Sequence, residues 1–115
     1  MRVKYVSRKG GKGTWCYAEK GHKKPHHSHH KHHSNHKHYP TLVFVHGFGA
    51  DKDTWPSMIQ FIPKKYHCII VDLPGHGETD FVDGVDELNM EGYVKSLREF
   101  LEVTGIDHKP FYLIG

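Results

Sequence analysis

The sequence contains no run of 18 apolar residues, which excludes a membrane-spanning helix within its 115 residues. Its basic start, MRVKYVSRKG, is not followed by an apolar segment, so a secretory signal peptide is excluded as well. Cysteine is scarce, since Cys16 and Cys68 are the two present and no CxxC pair occurs. A disulfide framework and a thiolate zinc site are therefore both excluded.

Acidic residues are almost absent from the first third of the chain. Residues 1–40 carry ten Lys or Arg and one acid, a net charge of +9, whereas residues 41–115 carry six Lys or Arg and twelve acids, a net charge of −6. This asymmetry indicates a basic arm on an acidic domain. The arm favours an anionic partner, and charge alone leaves nucleic acid and a membrane surface both open.

Apolar residues are missing from residues 26–38, which consist of eight His, two Ser, two Lys and one Asn. Such a stretch buries no apolar surface to offset the entropy of ordering, so we expect a disordered insert over residues 21–39. Three pairs of histidines lie four residues apart in this stretch and could hold Zn²⁺ or Ni²⁺ on a helix. They are His26 with His30, His29 with His33, and His32 with His36. We favour an insert with no selected metal, because Ser, Asn and Lys disfavour that helix and no carboxylate completes a site.

The rest of the chain has the pattern of a folded domain. RVKYV and TWCYA, joined by the turn GGKG, predict a β-hairpin within residues 1–20. In residues 40–115, the continuous apolar runs TLVFV, CIIV and FYLI predict parallel strands covered by helices on both faces. Their order with the intervening segments is β-α-β-α-β, which predicts a right-handed α/β arrangement.

Two helices are predicted between these strands. Pro56 stands in the first turn of one and Pro63 ends it, while Asn89 is the expected N-cap of the other and Gly105 its stop. Their apolar positions recur at helical spacing. They are Trp55, Met58, Ile59 and Ile62 in the first helix, and Met90, Tyr93, Val94, Leu97 and Leu101 in the second.

Motifs follow the strands where ligands of a parallel sheet bind, beyond the carboxyl ends. HGFG (46–49) follows the first strand, DLPGHG (72–77) the second, and Gly115 the third. Glycines allow the backbone to turn sharply and to aim N–H groups into a pocket, as an oxyanion site requires. An isolated HG pair is usually a plain turn, but its combination with DLPGHG is far more specific.

HGFGADKDTW, VDLPGHGETD and PFYLIG together resemble the N-terminal core of the α/β-hydrolase family, and within it the monoacylglycerol lipases. The resemblance extends over nearly the whole chain apart from the histidine-rich insert. In that fold the third strand leads into the nucleophile elbow G-x-S-x-G, and Gly115 takes the place of its first glycine. The resemblance implies that none of the Ser-Asp-His triad lies in this chain, because all three follow that glycine.

The same resemblance assigns roles to loop residues. The backbone N–H of Phe48 is the implied oxyanion donor, and His46 braces its loop rather than acting as a base. The implied loop-shaping residues are His46, Gly47, Gly49, Asp72, Gly75, His76, Gly77 and Gly115. Epoxide hydrolases and haloalkane dehalogenases of this fold carry proline where this chain has Gly49, which favours ester or C–C bond hydrolysis.

We therefore expect the N-terminal part of a cofactor-free serine hydrolase that cleaves monoacylglycerols to fatty acid and glycerol. The family resemblance implies a preceding membrane anchor and a place on late endosomes, lysosomes or another intracellular membrane, with no nucleic-acid partner. We expect the 115 residues to be inactive by themselves. The alternatives are another carboxylester or C–C bond hydrolase, a non-catalytic binding protein of this fold, and a metal-buffering protein built on the histidines.

Overall fold

The computed structural model describes residues 1–21, 39–47 and 49–115. Its strands and helices are β1 (Arg2–Ser7), β2 (Thr14–Lys20), β3 (Thr41–Val45), α1 (Pro56–Ile59), β4 (Cys68–Val71), α2 (Met90–Thr104) and β5 (Phe111–Ile114). The strands form one sheet in the order β1-β2-β4-β3-β5. The predicted hairpin and the parallel β-α-β-α-β arrangement are confirmed, since β1 and β2 pair antiparallel and β3 runs parallel to both β4 and β5. The predicted insert, with its histidine pairs, lies outside the described residues except at its two ends.

The core lies on both faces of the sheet because β4 is apolar at every position. All four of its residues are buried, and successive side chains point to opposite faces. Ile69 and Val71 join a cluster with Trp15 and Phe100, on the face that α2 covers. Cys68 and Ile70 join the cluster of the other face, with Ala18, Phe44 and Ile59.

The predicted ends of α2 are confirmed, but its predicted apolar face is partly wrong. Asn89 Oδ1 accepts a hydrogen bond from the Gly92 amide, and Gly105 ends the helix in the left-handed conformation. Met90 and Val94 are exposed, whereas Gly92, Ser96, Phe100 and Leu101 are buried. The buried face is rotated towards Asp86: the Ser96 hydroxyl lies 2.8 Å from the Gly92 carbonyl and 3.3 Å from the buried Asp86 carboxylate, so polar groups occupy space that the pattern assigned to apolar side chains.

α1 is shorter than the predicted helix. Regular helix stops at Ile59, and the chain continues through tighter turns in which Phe61 and Ile62 donate to the carbonyls three residues earlier. The Lys20 ammonium donates to the Ile59 and Ile62 carbonyls at 3.1 and 3.3 Å. It thereby supplies hydrogen bonds to carbonyl groups at the early end of the helix. Met58 is exposed.

The prediction that β5 is buried on both faces is wrong. Tyr112 and Leu113 are exposed, and Phe111 and Ile114 are half-buried. Among the described strands, β5 pairs with β3 alone, so it is an edge strand of this sheet.

A buried ionic cluster of Arg8, Asp86 and Glu99 links β1 to α2. The Arg8 guanidinium donates to both carboxylates, at 2.7 Å to Asp86 Oδ1 and at 2.8 and 3.0 Å to Glu99. It also donates to the Asp80 carbonyl, and it lies 4.8 Å from the centre of the Trp15 ring. Burial alone would raise the pKa of both carboxyl groups, but the Arg8 charge and hydrogen bonds outweigh it and hold both pKa values below their usual range.

A second ionic cluster surrounds Glu19 near the amino ends of β3 and β4. Glu19 accepts from Lys4 at 2.8 Å, Arg2 at 3.0 Å and His67 at 2.6 Å. Burial opposes the charge on Glu19, but these partners outweigh it and lower its pKa from 4.5 to about 2.

Replacing Glu19 should therefore change how stability responds to acid. Because its folded pKa is depressed, Glu19 stabilises the native state fully above pH 4.5, and this contribution is lost as pH falls towards 2. We expect Glu19→Gln to melt below the wild type at pH 7 and to approach it near pH 2, in thermal unfolding followed by circular dichroism. The exposed Glu102→Gln is the control. A difference that stays constant over this pH range contradicts the assignment.

Candidate functional site

The predicted motifs meet at one edge of the sheet. Phe44 pairs with Ile114 and Val45 with Val71, so β3, β4 and β5 end side by side with β3 in the middle. His46, Asp72 and Gly115 are the residues that follow these three strands. The structure thus brings the HGFG loop between the DLPGHG loop and the position of Gly115, as parallel strands require.

The loop after β3 makes a tight four-residue turn. The Ala50 N–H donates to the Gly47 carbonyl at 3.1 Å, which closes the turn over residues 47–50. Gly49 is the third residue of that turn and has a φ of +86°. This positive φ lies in the left-handed region, which glycine adopts without steric cost, and this explains the glycine at position 49. Phe48, the predicted oxyanion donor, lies outside the described residues.

His46 is fixed by backbone groups on both ring nitrogens. Its Nε2 lies 2.9 Å from the Leu73 amide, which can only donate, so Nε2 is the acceptor. Nδ1 then carries the proton and donates to the Gly47 carbonyl at 2.8 Å. The ring is 4% exposed and ties its own loop to the loop after β4. In this neutral form, the single lone pair available to a base is already occupied.

Asp72 is fully buried and receives donors from two loops. Its Oδ1 accepts from the Lys52 amide at 2.6 Å, while Oδ2 accepts from the Glu78 amide at 3.1 Å and from the Lys52 ammonium at 3.3 Å. Burial disfavours the charge on Lys52, but the Asp72 carboxylate outweighs this and raises the pKa of Lys52. Asp72 therefore joins the residue-52 turn to its own loop.

Two glycines of DLPGHG have positive φ, and one of them is crowded. Gly77 has a φ of +52°, and a Cβ built on it would overlap the Asp72 carboxylate. Gly75 has a φ of +81°, its N–H donates to the Thr79 carbonyl, and the Phe81 side chain lies against it. The loop thus needs glycine at 75 for its conformation and at 77 also for space.

His76 makes a further link between the two loops. Its Nε2 accepts from the Gly49 amide at 3.0 Å, and Nδ1 lies 3.2 Å from the Pro74 carbonyl. The ring also lies against those of His46 and Tyr93, with centroids 5.0 and 6.2 Å away. The sequence-predicted residues His46, Asp72 and His76 are therefore brought together, each bonded across the two loops.

Beside this site, a series of polar contacts that the sequence analysis missed extends from Asp72 through Lys52 to Glu78 and Tyr5. The Tyr5 hydroxyl donates to Glu78 at 2.8 Å, and Lys52 lies 3.6 Å from the same carboxylate. The Glu78 hydrogen bond raises the pKa of Tyr5 to about 12, and burial raises that of the neighbouring Cys16 thiol to about 11. No local pattern distinguished Lys52 or Glu78 from ordinary solvent-exposed charges. Neither Tyr5 nor Cys16 is poised as a nucleophile, since both raised pKa values favour the protonated form.

The described ranges contain neither a membrane-spanning helix nor a metal-binding cluster of side chains. No helix within residues 1–21, 39–47 and 49–115 is both long and apolar enough to cross a bilayer. Over the same residues, no three His, Cys, Asp or Glu side chains are placed to share a metal ion. The predicted histidine pairs, His26 with His30, His29 with His33 and His32 with His36, fall outside these ranges.

The sheet order and the two glycine-rich loops at its carboxyl edge define an α/β-hydrolase core. Residues 40–115 match the family described as alpha/beta hydrolase fold, and the chain belongs to this family. Over all 115 residues it is 36% identical to monoacylglycerol lipase ABHD6 of Bos taurus and 35% identical to that of Homo sapiens. The chain spans 29% of the length of these curated relatives.

A solved structure has the same architecture. The candidate lipase Lip1 of Acinetobacter baumannii AYE superposes with a TM-score of 0.67 and 30% identity, over 96% of this chain and 32% of the other. The family and fold predicted from the motifs are therefore confirmed.

Proposed function

We propose that the whole protein is a serine hydrolase that cleaves carboxylic esters, with monoacylglycerols as its substrate class and without a cofactor. The observation that carries this proposal is the position of the 47–50 turn at the end of β3, beside the end of β5 at Gly115. A Cβ built on Gly115 would lie 4.0 Å from the Val45 carbonyl, so the two strand ends are in direct contact. A serine presented just after Gly115 would therefore stand next to a turn able to supply backbone N–H groups.

In this proposal, the serine hydroxyl attacks the ester carbonyl, and the N–H of Phe48 is one of the donors to the oxyanion that forms. His46, Asp72 and His76 act as loop-shaping residues, together with Gly47, Gly49, Gly75 and Gly77. The lone pair of the His46 ring accepts from the Leu73 amide, which supports a structural role over that of a general base. The basic residues 1–40 support a further proposal, that the protein lies against an anionic membrane surface.

Two other functions are compatible with the same fold. Another carboxylester or C–C bond hydrolase would use the same turn with a different acyl pocket. A binding protein would keep the pocket and lack the serine. A relative in Petunia hybrida, 33% identical over 69 residues, is named karrikin insensitive 2 receptor IA, which keeps the binding alternative open.

The test is to sequence the native messenger RNA beyond the Gly115 codon and to express the complete reading frame. We expect x-S-x-G at this point, labelling of the whole protein by a fluorophosphonate probe, and fatty acid release from monoacylglycerols. Replacing that serine by alanine should lower kcat by at least about 10³-fold, as expected for a nucleophile. Recovery of the expressed protein in the membrane fraction would support the proposal that it lies against an anionic membrane surface.

The 115-residue chain serves as the matched control, because we expect it to remain unlabelled without the triad. Absence of the serine would overturn the hydrolase proposal and leave a binding protein. Labelling combined with cleavage of other esters, but not of monoacylglycerols, would overturn the substrate class alone.

A further inference from the structure

We propose that the groove between α2 and the turn that joins β1 to β2 binds a phosphate monoester. Such binding goes beyond the proposed hydrolase function. The residues that line the groove belong to neither the HGFG nor the DLPGHG loop, so the groove is separate from the candidate active site.

Two adjoining cavities form this groove. The larger has a volume of about 340 Å³ and lies between Lys9, residues 85–86 and α2. The smaller, of about 160 Å³, lies over the turn at residues 8–12. Both are lined by Lys9, Val85 and Glu99, so they adjoin at these residues. The larger volume alone falls within the range of small-molecule sites, about 300–1,000 Å³.

The carboxylates that line the groove are already paired. Asp86 accepts from the Arg8 guanidinium on both of its oxygens, and so does Glu99. Glu102 is paired with Lys9 at 2.9 Å. Since each carboxylate of the groove has a cationic partner, the groove offers little to a cationic ligand.

Three cations of the groove, in contrast, have no such partner. Lys12, Lys95 and Arg98 form no ion pair with any residue that the structure describes. Lys95 and Arg98 lie three residues apart on α2, so their side chains leave the helix on the same face. Lys12 lines the groove from the turn between β1 and β2. Unused donors therefore stand on both walls.

The charge of the groove matches that of a phosphate monoester. The three unpaired cations, together with Arg8 and Lys9, face three carboxylates, which leaves a net charge of +2. A phosphate monoester carries a charge of about −2 at neutral pH and has three strong acceptor oxygens. Arginine can donate two parallel N–H groups to such oxygens, and lysine adds a point charge. A carboxylate, with one charge and two oxygens, would leave part of this donor set unused.

The test titrates glycerol phosphate into the complete protein by calorimetry. We expect Lys95→Gln combined with Arg98→Gln to weaken binding by about tenfold or more, because charge-assisted hydrogen bonds are lost. Lys64→Gln combined with Lys109→Gln is the matched control, since it removes the same charge from exposed positions outside the groove. This control should stay within about twofold of the wild type, because distant exposed charges are screened by salt. Glycerol, which lacks the phosphate, should not bind.

A second probe distinguishes the two sources of such a ligand, a soluble ester and a lipid head group. Vesicles of phosphatidylcholine are compared with and without phosphatidic acid. Vesicle binding that requires phosphatidic acid, Lys95 and Arg98 would assign the groove to a lipid head group, and binding of glycerol phosphate alone to a soluble ester.

The proposal is overturned if the wild type binds neither probe, or if the groove variant binds both as well as the control variant does. Thermal unfolding checks that the variants remain folded, and we expect no change because Lys95 and Arg98 are exposed and unpaired among the described residues. Fluorophosphonate labelling reports the hydrolase function separately, so either proposal can fail without the other.

Discussion

Arg8→Met should lower the free energy of unfolding by about 3–5 kcal/mol, the usual cost of removing one partner from a buried ion pair. Arg8 is 3% exposed and is the shared partner of Asp86 and Glu99. Its removal leaves two carboxylates in a site from which water is largely excluded. Methionine fills much of the vacated length, so lost charge and not lost volume dominates the effect.

Urea unfolding followed by tryptophan fluorescence measures this loss, because Trp15 lies against the guanidinium. Lys9→Met is the matched control, since the exposed Lys9 pairs with exposed Glu102, and we expect little change. Adding Asp86→Asn and Glu99→Gln to Arg8→Met should recover part of the stability, because the orphaned charges are then gone. A triple variant less stable than Arg8→Met would contradict this explanation.

The response to pH supplies a further check on the same cluster. In the wild type, Arg8 depresses the pKa values of Asp86 and Glu99, so their stabilisation is lost as pH falls below the ordinary values of 3.8 and 4.5. The Arg8→Met variant keeps the hydrogen bonds from the Val82 and Lys9 amides and the Trp15 indole but loses the Arg8 charge, so both pKa values rise relative to the wild type and the variant loses less stability as pH falls. We therefore expect the two unfolding free energies to converge on acidification. A constant gap would contradict the assignment.

The ionic cluster of Arg8, Asp86 and Glu99 could not be predicted from the sequence. Arg8 stands beside a glycine-rich turn, where a basic residue is normally solvated, and its partners lie 78 and 91 residues away. No periodicity connects such distant positions. The same cluster explains the error in α2, since Ser96 faces Asp86 while Met90 and Val94 face solvent.

The parts of the fold that could be predicted depend on short-range patterns. The apolar run Cys68–Val71 is buried on both faces, with strands paired on either side of it, and Asn89 caps the helix that starts next to it. The HGFG and DLPGHG loops could be placed together because parallel strands carry whatever follows them to one edge. The bonds between these loops could not be predicted, since they depend on the distances from His76 to Gly49 and from Asp72 to Lys52.

Those hydrogen bonds explain the spacing of Asp72 and His76 within DLPGHG. Asp72 reaches the residue-52 turn, and His76 reaches the turn at residue 49, so one six-residue loop contacts the other at both ends. A third hydrogen bond joins the same loops, since the Leu73 amide donates to His46 Nε2. In the proposed hydrolase, these hydrogen bonds between the loops would help to orient the oxyanion donors before charge develops.

Gly77→Ala should be the most damaging small substitution in this loop pair. Its φ of +52° costs an alanine about 1–2 kcal/mol by itself. The added Cβ would also overlap the Asp72 carboxylate, which must move and release the Lys52 and Glu78 amides. We expect a total loss of about 3–5 kcal/mol, as for other broken buried charge networks, and a lower kcat of the whole protein because the loops separate.

Gly84→Ala is the control that isolates the overlap from the backbone strain. Gly84 has a φ of +83°, and a Cβ built there would meet nothing within 4 Å. Alanine at this position should cost only the left-handed conformation, about 1–2 kcal/mol, and should leave kcat unchanged. Urea unfolding of both variants separates the two contributions. If both variants lose the same unfolding free energy, Asp72 can move away from the added Cβ at no cost. Its hydrogen bonds to the two loops would then contribute little to the stability of the site.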